Sequence, residues 1–472
     1  MSKLANPNLD SVASLKSDGS RNFLRPADAT GKFTTARRIL AFFLILIYAG
    51  LPWIKINGYP ALFFDIAHFR FHIFGFTFAV QDFWLAFFLV SGLGFTLYMV
   101  TSMFGRIWCG WTCPHTVFLE HVYRRIERFI EGPVAEQKRL DRLSWSDNEK
   151  LVKRGIKQVL FILVSVIISH IFVSYFISIP QLYQWMTHSP LMHWTGFLFV
   201  IIMSGLLYFN FAWFREQLCL AICPYGRLQS ALIDDDSIII GYDEKRGEPR
   251  GKPRDPETGD CIDCKRCISV CPTGIDIRQG LQLECVGCSN CIDACNTVML
   301  KLGRDPGLIR YDSLNGFSGK GHRIVRPRLF IYLFFLLLGI GAMSYAFSNV
   351  KSAYMLVTRM VGSPYYQTET NVRNQYNVRI INKTDTERTF TLRIESGNPN
   401  LKQIGFEAPV TITPMEEIVR PLVVMVDLAD YKAPFKFDVI VERTDGEIQL
   451  KRNVSFLGPD IIDPAQDLIF EK

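Results

Sequence analysis

Five stretches of the chain are nearly unbroken runs of apolar residues. They extend from about Ile39 to Ile56, Phe83 to Met103, Val159 to Ile179, Met192 to Phe214 and Leu329 to Phe347. A helix needs roughly 20 apolar residues to cross a hydrocarbon core, so each run predicts a membrane span. The first is the shortest and follows Arg37 and Arg38, as the apolar part of a signal peptide would. A long polar segment precedes it and no clear small-residue cleavage site follows, so it reads as an uncleaved anchor. Past Ser348 the pattern switches to alternation of apolar and polar positions. Tyr376-Asn-Val-Arg-Ile-Ile, Phe390-Thr-Leu-Arg-Ile-Glu, Val410-Thr-Ile-Thr, Phe435-Lys-Phe-Asp-Val-Ile-Val-Glu and Ile448-Gln-Leu-Lys-Arg-Asn-Val predict short strands. Turns such as Asn398-Pro399 and Thr444-Asp-Gly446 separate them, which points to a β-sandwich of immunoglobulin type.

The expected fold class is therefore a polytopic α-helical membrane protein with five transmembrane helices. It carries an inserted cysteine-rich segment and a C-terminal immunoglobulin-like β-sandwich. The expected organisation is a cytoplasmic tail (1–36), a four-helix membrane region (37–214) and a cytoplasmic segment (215–328) whose cysteine-rich part covers about 250–305. A fifth span (329–347) and a periplasmic domain (348–472) follow. A hydrophobic content of 49% with 37 phenylalanines suits this mixture of apolar and soluble parts.

The net charge of +7 is not spread evenly. The loop after Met103 holds ten Lys and Arg between Arg106 and Arg154, and the loop after Phe214 holds seven up to Arg254. The segment from Gln181 to Leu191 holds none. Basic loops stay on the cytoplasmic side. This places the N-terminus and both basic loops inside, and the C-terminal domain outside, in the periplasm of a bacterial inner membrane. The clustering beside apolar runs fits membrane lipid as the partner of these charges, and nothing supports nucleic-acid binding.

All 12 cysteines lie between Cys109 and Cys295. With none in the C-terminal domain, a secreted-type disulfide framework is excluded and the thiols read as ligands in a reducing compartment. Cys261-x2-Cys264-x2-Cys267-x3-Cys271-Pro272 is followed by Cys285-x2-Cys288-x2-Cys291-x3-Cys295. Three closely spaced thiolates hold three corners of an iron–sulfur cubane, and the fourth reaches across to the other cluster. One [4Fe–4S] cluster is thus assigned to Cys261, Cys264, Cys267 and Cys295. A second is assigned to Cys285, Cys288, Cys291 and Cys271, so the insert reads as a two-cluster bacterial-type ferredoxin domain. Zinc sites use paired or mixed ligands and have no need of eight thiolates in this spacing. Asn296 stands where a second proline is usual, but that proline is not a ligand.

The other four cysteines form two matching elements. Trp108-Cys109-Gly-Trp-Thr-Cys113-Pro114 follows the second span, and Cys219-Leu-Ala-Ile-Cys223-Pro224 follows the fourth. The equal offset suggests a duplicated helical hairpin that sets both elements at one depth. Proline after the second cysteine suits the first turn of a helix, which puts Cys113 and Cys223 near helix N-termini that favour thiolates. The stretch from His115 to Ile130 reads as an amphipathic helix lying on the inner surface. Three readings of Cys109, Cys113, Cys219 and Cys223 stay open: packing, a redox dithiol, and a four-thiolate site for a soft metal, copper first. Histidines 68 and 72, in the loop after the first span, are weaker metal candidates. His170, inside the third span, is an intramembrane polar group worth attention. No phosphate-binding glycine loop and no flavin or nicotinamide fingerprint occurs.

Taken together, these motifs resemble the FixG/RdxA family of membrane polyferredoxins, which includes the cytochrome c oxidase accessory protein CcoG. The likeness rests on Trp108–Pro114, Cys219-Leu-Ala-Ile-Cys-Pro-Tyr-Gly-Arg-Leu228, the double ferredoxin run, and Cys271-Pro-Thr-Gly-Ile-Asp-Ile-Arg-Gln-Gly-Leu-Gln282. The resemblance implies assembly of a cbb-type haem–copper oxidase, with reduction of Cu(II) to Cu(I). It makes Cys109, Cys113, Cys219 and Cys223 the candidate copper or redox thiols of a cupric reductase. It also implies a cytoplasmic electron donor, a copper chaperone or transporter, and assembly factors that meet the outer domain. The alternatives are a quinol dehydrogenase-type membrane ferredoxin and a non-redox assembly scaffold.

Overall fold

The five apolar runs fold as helices long enough to span a bilayer in a computed structural model of the chain. It describes residues 23–459 except 57, 67–69, 80–83, 253–256, 322, 324, 349–351, 385, 415, 445 and 447–448. Two units result, one of Met1–Phe76 with Trp84–Met343, the other of Thr77–Phe83 with Ser344–Lys472.

The spans are Lys32–Trp53, Trp84–Phe104, Asn148–Val173, Pro190–Phe214 and Pro327–Ser348, the last ending in the second unit. The third differs most from expectation. It starts at Asn148 because Asp147 caps it, accepting from the amides of Glu149 at 2.9 Å and Lys150 at 3.4 Å. It ends at Val173, before Ile179, and a separate helix runs Ile179–Thr187 with proline in its first turn. Side chains such as Phe42, Phe43, Phe87, Ile201 and Phe334 stand exposed, as lipid-facing groups do. Polar contacts hold the spans together. Ser204 donates to Ser169 at 3.0 Å across the third and fourth spans, and Tyr48 donates to the Ile168 carbonyl at 3.0 Å.

The expected surface helix after Cys113 is a composite of Pro114–Phe118, a π-helical turn Leu119–Tyr123, and Arg124–Glu131. It does not lie with its charged face to solvent: Glu120, Arg124, Glu127 and Glu131 are buried. Glu127 meets Arg215 at 3.1 Å, Lys157 at 3.3 Å and Arg25 at 3.4 Å, and Glu131 meets Lys157 at 2.7 Å. The charges were paired across the chain, which is what makes their burial tolerable.

The segment before the first span is a strap rather than a loose tail from residue 23 on. Ala27 donates its amide to the Ser269 carbonyl at 2.7 Å. Asp293 accepts from the Thr34 amide and hydroxyl at 2.6 and 2.7 Å, so a residue of the insert caps the first span. His72 is buried with its ring stacked on Tyr59 at 3.8 Å, a packing role; His68 lies outside the described residues.

The second unit is a sandwich. Lys402–Ile404, Glu417–Asp427, Asn371–Asn382 and Ala353–Arg359 form one antiparallel sheet in that order. Val410–Ile412, Arg388–Glu395, Phe435–Arg443 and Gln449–Phe456 form the other. Alternate residues Val372, Tyr376, Val378 and Ile380 face the shared core with Leu392, Phe437, Val439 and Phe456.

Candidate metal centres

The insert is closed at its base by the antiparallel pair Ile239–Tyr242 and Ile309–Asp312. Between these strands lie two loops of the same backbone shape. In each, the residue before the second cysteine and the residue after it adopt left-handed conformations. In the first loop Asp263 has φ 52° and Lys265 φ 53°; in the second Gly287 has φ 69° and Ser289 φ 60°. Three of these four are not glycine, a costly choice that repeats at matching positions. A short helix then starts in each copy, Arg266–Ser269 and Asn290–Lys301, carrying Cys267 and Cys291 in its first turn.

The structure places the eight cysteines around two cavities. One cavity is lined by Cys261, Cys264, Cys267 and Cys295. The other is lined by Cys271, Cys285, Cys288 and Cys291, with Cys267 reaching it as well. Burial pushes the thiols up, to about 11 for Cys285 and about 12 for Cys267 and Cys295. Neighbouring thiols add to this, Cys271 acting on Cys285 and Cys261 on Cys295. Buried, crowded thiols of this kind stay protonated alone and become thiolates when metal displaces the protons. The donor set fits iron–sulfur groups: at least four soft sulfurs line each cavity and no carboxylate is among the lining residues.

The two Cys-x3-Cys-Pro elements share one backbone closure. The Cys113 amide donates to the Trp108 carbonyl at 2.9 Å, and the Cys223 amide donates to the Leu218 carbonyl at 2.8 Å. Both cysteines cap proline-led helices, Pro114–Phe118 and Pro224–Leu232. The four thiols are near enough to act on one another electrostatically: Cys219, pushed up to about 12 by burial, is raised further by Cys113, Cys109 and Cys223. Burial also pushes Cys109 up, against the pull of Arg106, whose guanidinium stands 3.8 Å from its sulfur. The Cys109 thiol donates to Gln229 Oε1 at 2.8 Å.

This site abuts the second ferredoxin loop. Cys109, Val286 and Cys288 share one apolar cluster. Gly110 lies so close to Gly287 that a Cβ there would sit 2.7 Å from its carbonyl. Arg37 bridges the two, donating to the carbonyls of Gly110 at 2.9 Å and Cys288 at 3.0 Å. Trp111 donates to the Tyr311 hydroxyl at 3.2 Å, which donates to the Gly287 carbonyl at 3.2 Å. Arg106 reaches the Leu283 carbonyl from the other side.

His115 joins the two elements. Its ring stacks on Phe211, centroids 5.4 Å apart, with Nε2 3.0 Å from the Arg215 carbonyl and Nδ1 3.2 Å from the Asn210 amide nitrogen. Burial lowers it to about 4, so it stays neutral, with Nε2 donating and Nδ1 accepting. Sequence reading missed Arg37, Arg106, His115 and Gln229. Only His115, directly after Cys113-Pro114, offered a signal.

Known proteins can now be set beside this geometry. A family described as "4Fe-4S dicluster domain" matches residues 214–314, "4Fe-4S binding domain" matches 83–133, and "IG-like fold at C-terminal of FixG" matches 343–459. Protein RdxA of Cereibacter sphaeroides is 33% identical, covering 82% of this chain and 86% of its own length. The nitrogen fixation protein FixG of Rhizobium meliloti is 32% identical, covering 86% and 87%. Protein RdxB of Cereibacter sphaeroides is 33% identical, covering 85% and 88%. A crystal structure of a FixG-related protein from Vibrio parahaemolyticus aligns with 24% of this chain and all of its own. Its identity is 20% and its TM-score 0.21.

Proposed function

Since the chain belongs to the FixG/RdxA family of multi-pass membrane iron–sulfur electron-transfer proteins, we propose that it delivers single electrons to Cys109, Cys113, Cys219 and Cys223, where Cu(II) becomes Cu(I). Cys261, Cys264, Cys267 and Cys295 would hold one [4Fe–4S] cluster, and Cys271, Cys285, Cys288 and Cys291 the other. Bound there, the clusters supply one-electron carriage. The observation that carries the reading is the contact of Gly110 with the Gly287 carbonyl, which sets the four thiols against the second cluster's ligand loop.

The chain's own groups then act as follows. Soft thiolates at the four-cysteine site prefer Cu(I) to Cu(II), so ligation favours the reduced ion. Each Cu(II) takes one electron and no proton. Arg106 offsets negative charge between the two sites. Gln229 holds the Cys109 thiol in place through its hydrogen bond. The lysines and arginines of the two basic loops support a cytoplasmic placement of this machinery, within reach of a soluble donor and of a copper chaperone or transporter. The C-terminal sandwich, on the periplasmic side, docks factors that assemble a cbb-type oxidase.

Replacing all four cysteines with serine tests this. Iron content should stay near wild type while Cu(II) reduction by the dithionite-reduced protein is lost; retained copper reduction refutes the assignment. A second reading has one observation in its favour: the "4Fe-4S binding domain" match at 83–133 contains only Cys109 and Cys113 among the cysteines. On that reading the four thiols hold a further iron–sulfur group. The same variant would then lose about a third of its iron, the share of one cluster in three.

A further inference from the structure

A cavity of about 580 Å³ opens between the third and fourth spans, from mid-span toward the end remote from the cysteines. That volume lies in the range of small-molecule sites. Its lining includes no Asp, Glu, Lys or Arg. The walls are chiefly aliphatic and aromatic, with His170, His188, His193, Ser204 and Tyr208 as polar points. A charged ligand would find no counter-ion there, and its desolvation would go uncompensated.

The histidines narrow the choice further. Nδ1 of His170 is 2.8 Å from the Val166 carbonyl, and Nδ1 of His188 is 2.7 Å from the Gln184 carbonyl. A carbonyl only accepts, so Nδ1 carries the proton in each and Nε2 is left as an acceptor. The His193 ring stacks on Trp185 at 4.5 Å and 16°, making a flat aromatic wall. Acceptors in an apolar slot suit a neutral planar molecule bearing hydroxyl donors. A lipid acyl chain would leave them unused.

The cavity also connects inward. Tyr208 lines it and packs in the apolar cluster of Tyr123, Phe161 and Phe211. Phe211 stacks on Tyr123 at 4.5 Å and on His115 at 5.4 Å, beside Cys113. A packed aromatic column thus joins the cavity to the thiol site.

We infer that the cavity binds a lipid-soluble hydroquinone and that this molecule is an electron donor to the protein. This rests on the reading that the clusters accept single electrons, and it adds a membrane source to the soluble donor. Oxidation breaks two O–H bonds and yields the quinone. Two protons pass to Nε2 of His170 and His188, and two electrons leave, one for each cluster.

The test uses the full-length protein in detergent, anaerobic, with its clusters oxidised. A water-soluble naphthohydroquinone is the probe, and cluster absorbance and paramagnetic resonance are the readouts. The wild type should be reduced. A His170→Leu/His188→Leu variant should be reduced at least tenfold more slowly by the probe yet normally by dithionite. Gly205→Leu, at a lining position with nothing within 4 Å of its Cβ, fills the cavity and should do the same. No reduction of wild type by the probe, with dithionite effective, overturns the inference and leaves the proposed function standing. Equal rates in all variants also overturn it. Failure of dithionite as well removes the cluster reading and this inference together.

Discussion

Gly110→Ala is the most revealing single substitution. The added methyl would sit 2.7 Å from the Gly287 carbonyl and from the Val286 oxygen. These are backbone atoms of the loop carrying Cys285 and Cys288, so no side chain can rotate aside. To regain ordinary contact the interface must open by about 0.7 Å, and overpacking of this kind costs about 1–3 kcal/mol. Misplacement near 1 Å at a reacting site can lower rates by about 10²-fold. We expect iron content near wild type, a modest loss of thermal stability, and Cu(II) reduction down by about tenfold or more. Gly155→Ala, in the third span with nothing within 4 Å of its Cβ, is the control and should leave copper reduction unchanged. Full copper reduction by Gly110→Ala, at unchanged melting temperature, would refute the idea that this contact couples the two sites.

Three further outcomes follow from the same geometry. Arg106→Gln removes a cation beside Cys109 and near Cys285, so the second cluster should become harder to reduce, with Arg106→Lys recovering part; an unchanged potential in a redox titration followed by paramagnetic resonance counts against this. Burial pushes the Cys109 and Cys219 thiols up, so Cu(I) must displace their protons. Affinity of the cluster-loaded protein for Cu(I), read by chelator competition from about pH 6 to 8, should rise about tenfold per pH unit for each proton displaced; a flat profile contradicts it. Burial pushes the Glu127 carboxyl up, but Arg215, Lys157 and Arg25 prevail and hold it far below the ordinary range. Its contribution is therefore full above the unfolded pKa of about 4 and lost as pH falls below it. Glu127→Gln should cost about 3–5 kcal/mol at neutral pH, seen as a lower melting temperature.

Much of this architecture was legible in the chain. Run length revealed the spans, cysteine spacing the duplicated insert, and alternation most strands of the sandwich. What escaped depended on partners distant in sequence. Strand Glu417–Asp427 was not foreseen, because Pro421 interrupts its pattern. In the sheet Pro421 pairs with Asn377, while the neighbour on its other side, Lys402–Ile404, meets only Val423–Met425, so the missing amide breaks no ladder there. The charges of Arg124–Glu131 read as the polar face of a surface helix because partners such as Arg25 and Arg215 lie far away in sequence. The short, polar segment before the first span shows no period, yet Ala27 and Thr34 anchor it to the insert.

The most direct test is to mix the reduced protein with Cu(II), freeze it at successive times, and follow the cluster signals by paramagnetic resonance. In the wild type the signals should vanish as about one Cu(I) forms per cluster oxidised. In the variant with serine at 109, 113, 219 and 223 they should persist. Equal decay in both proteins would show that copper takes its electron elsewhere.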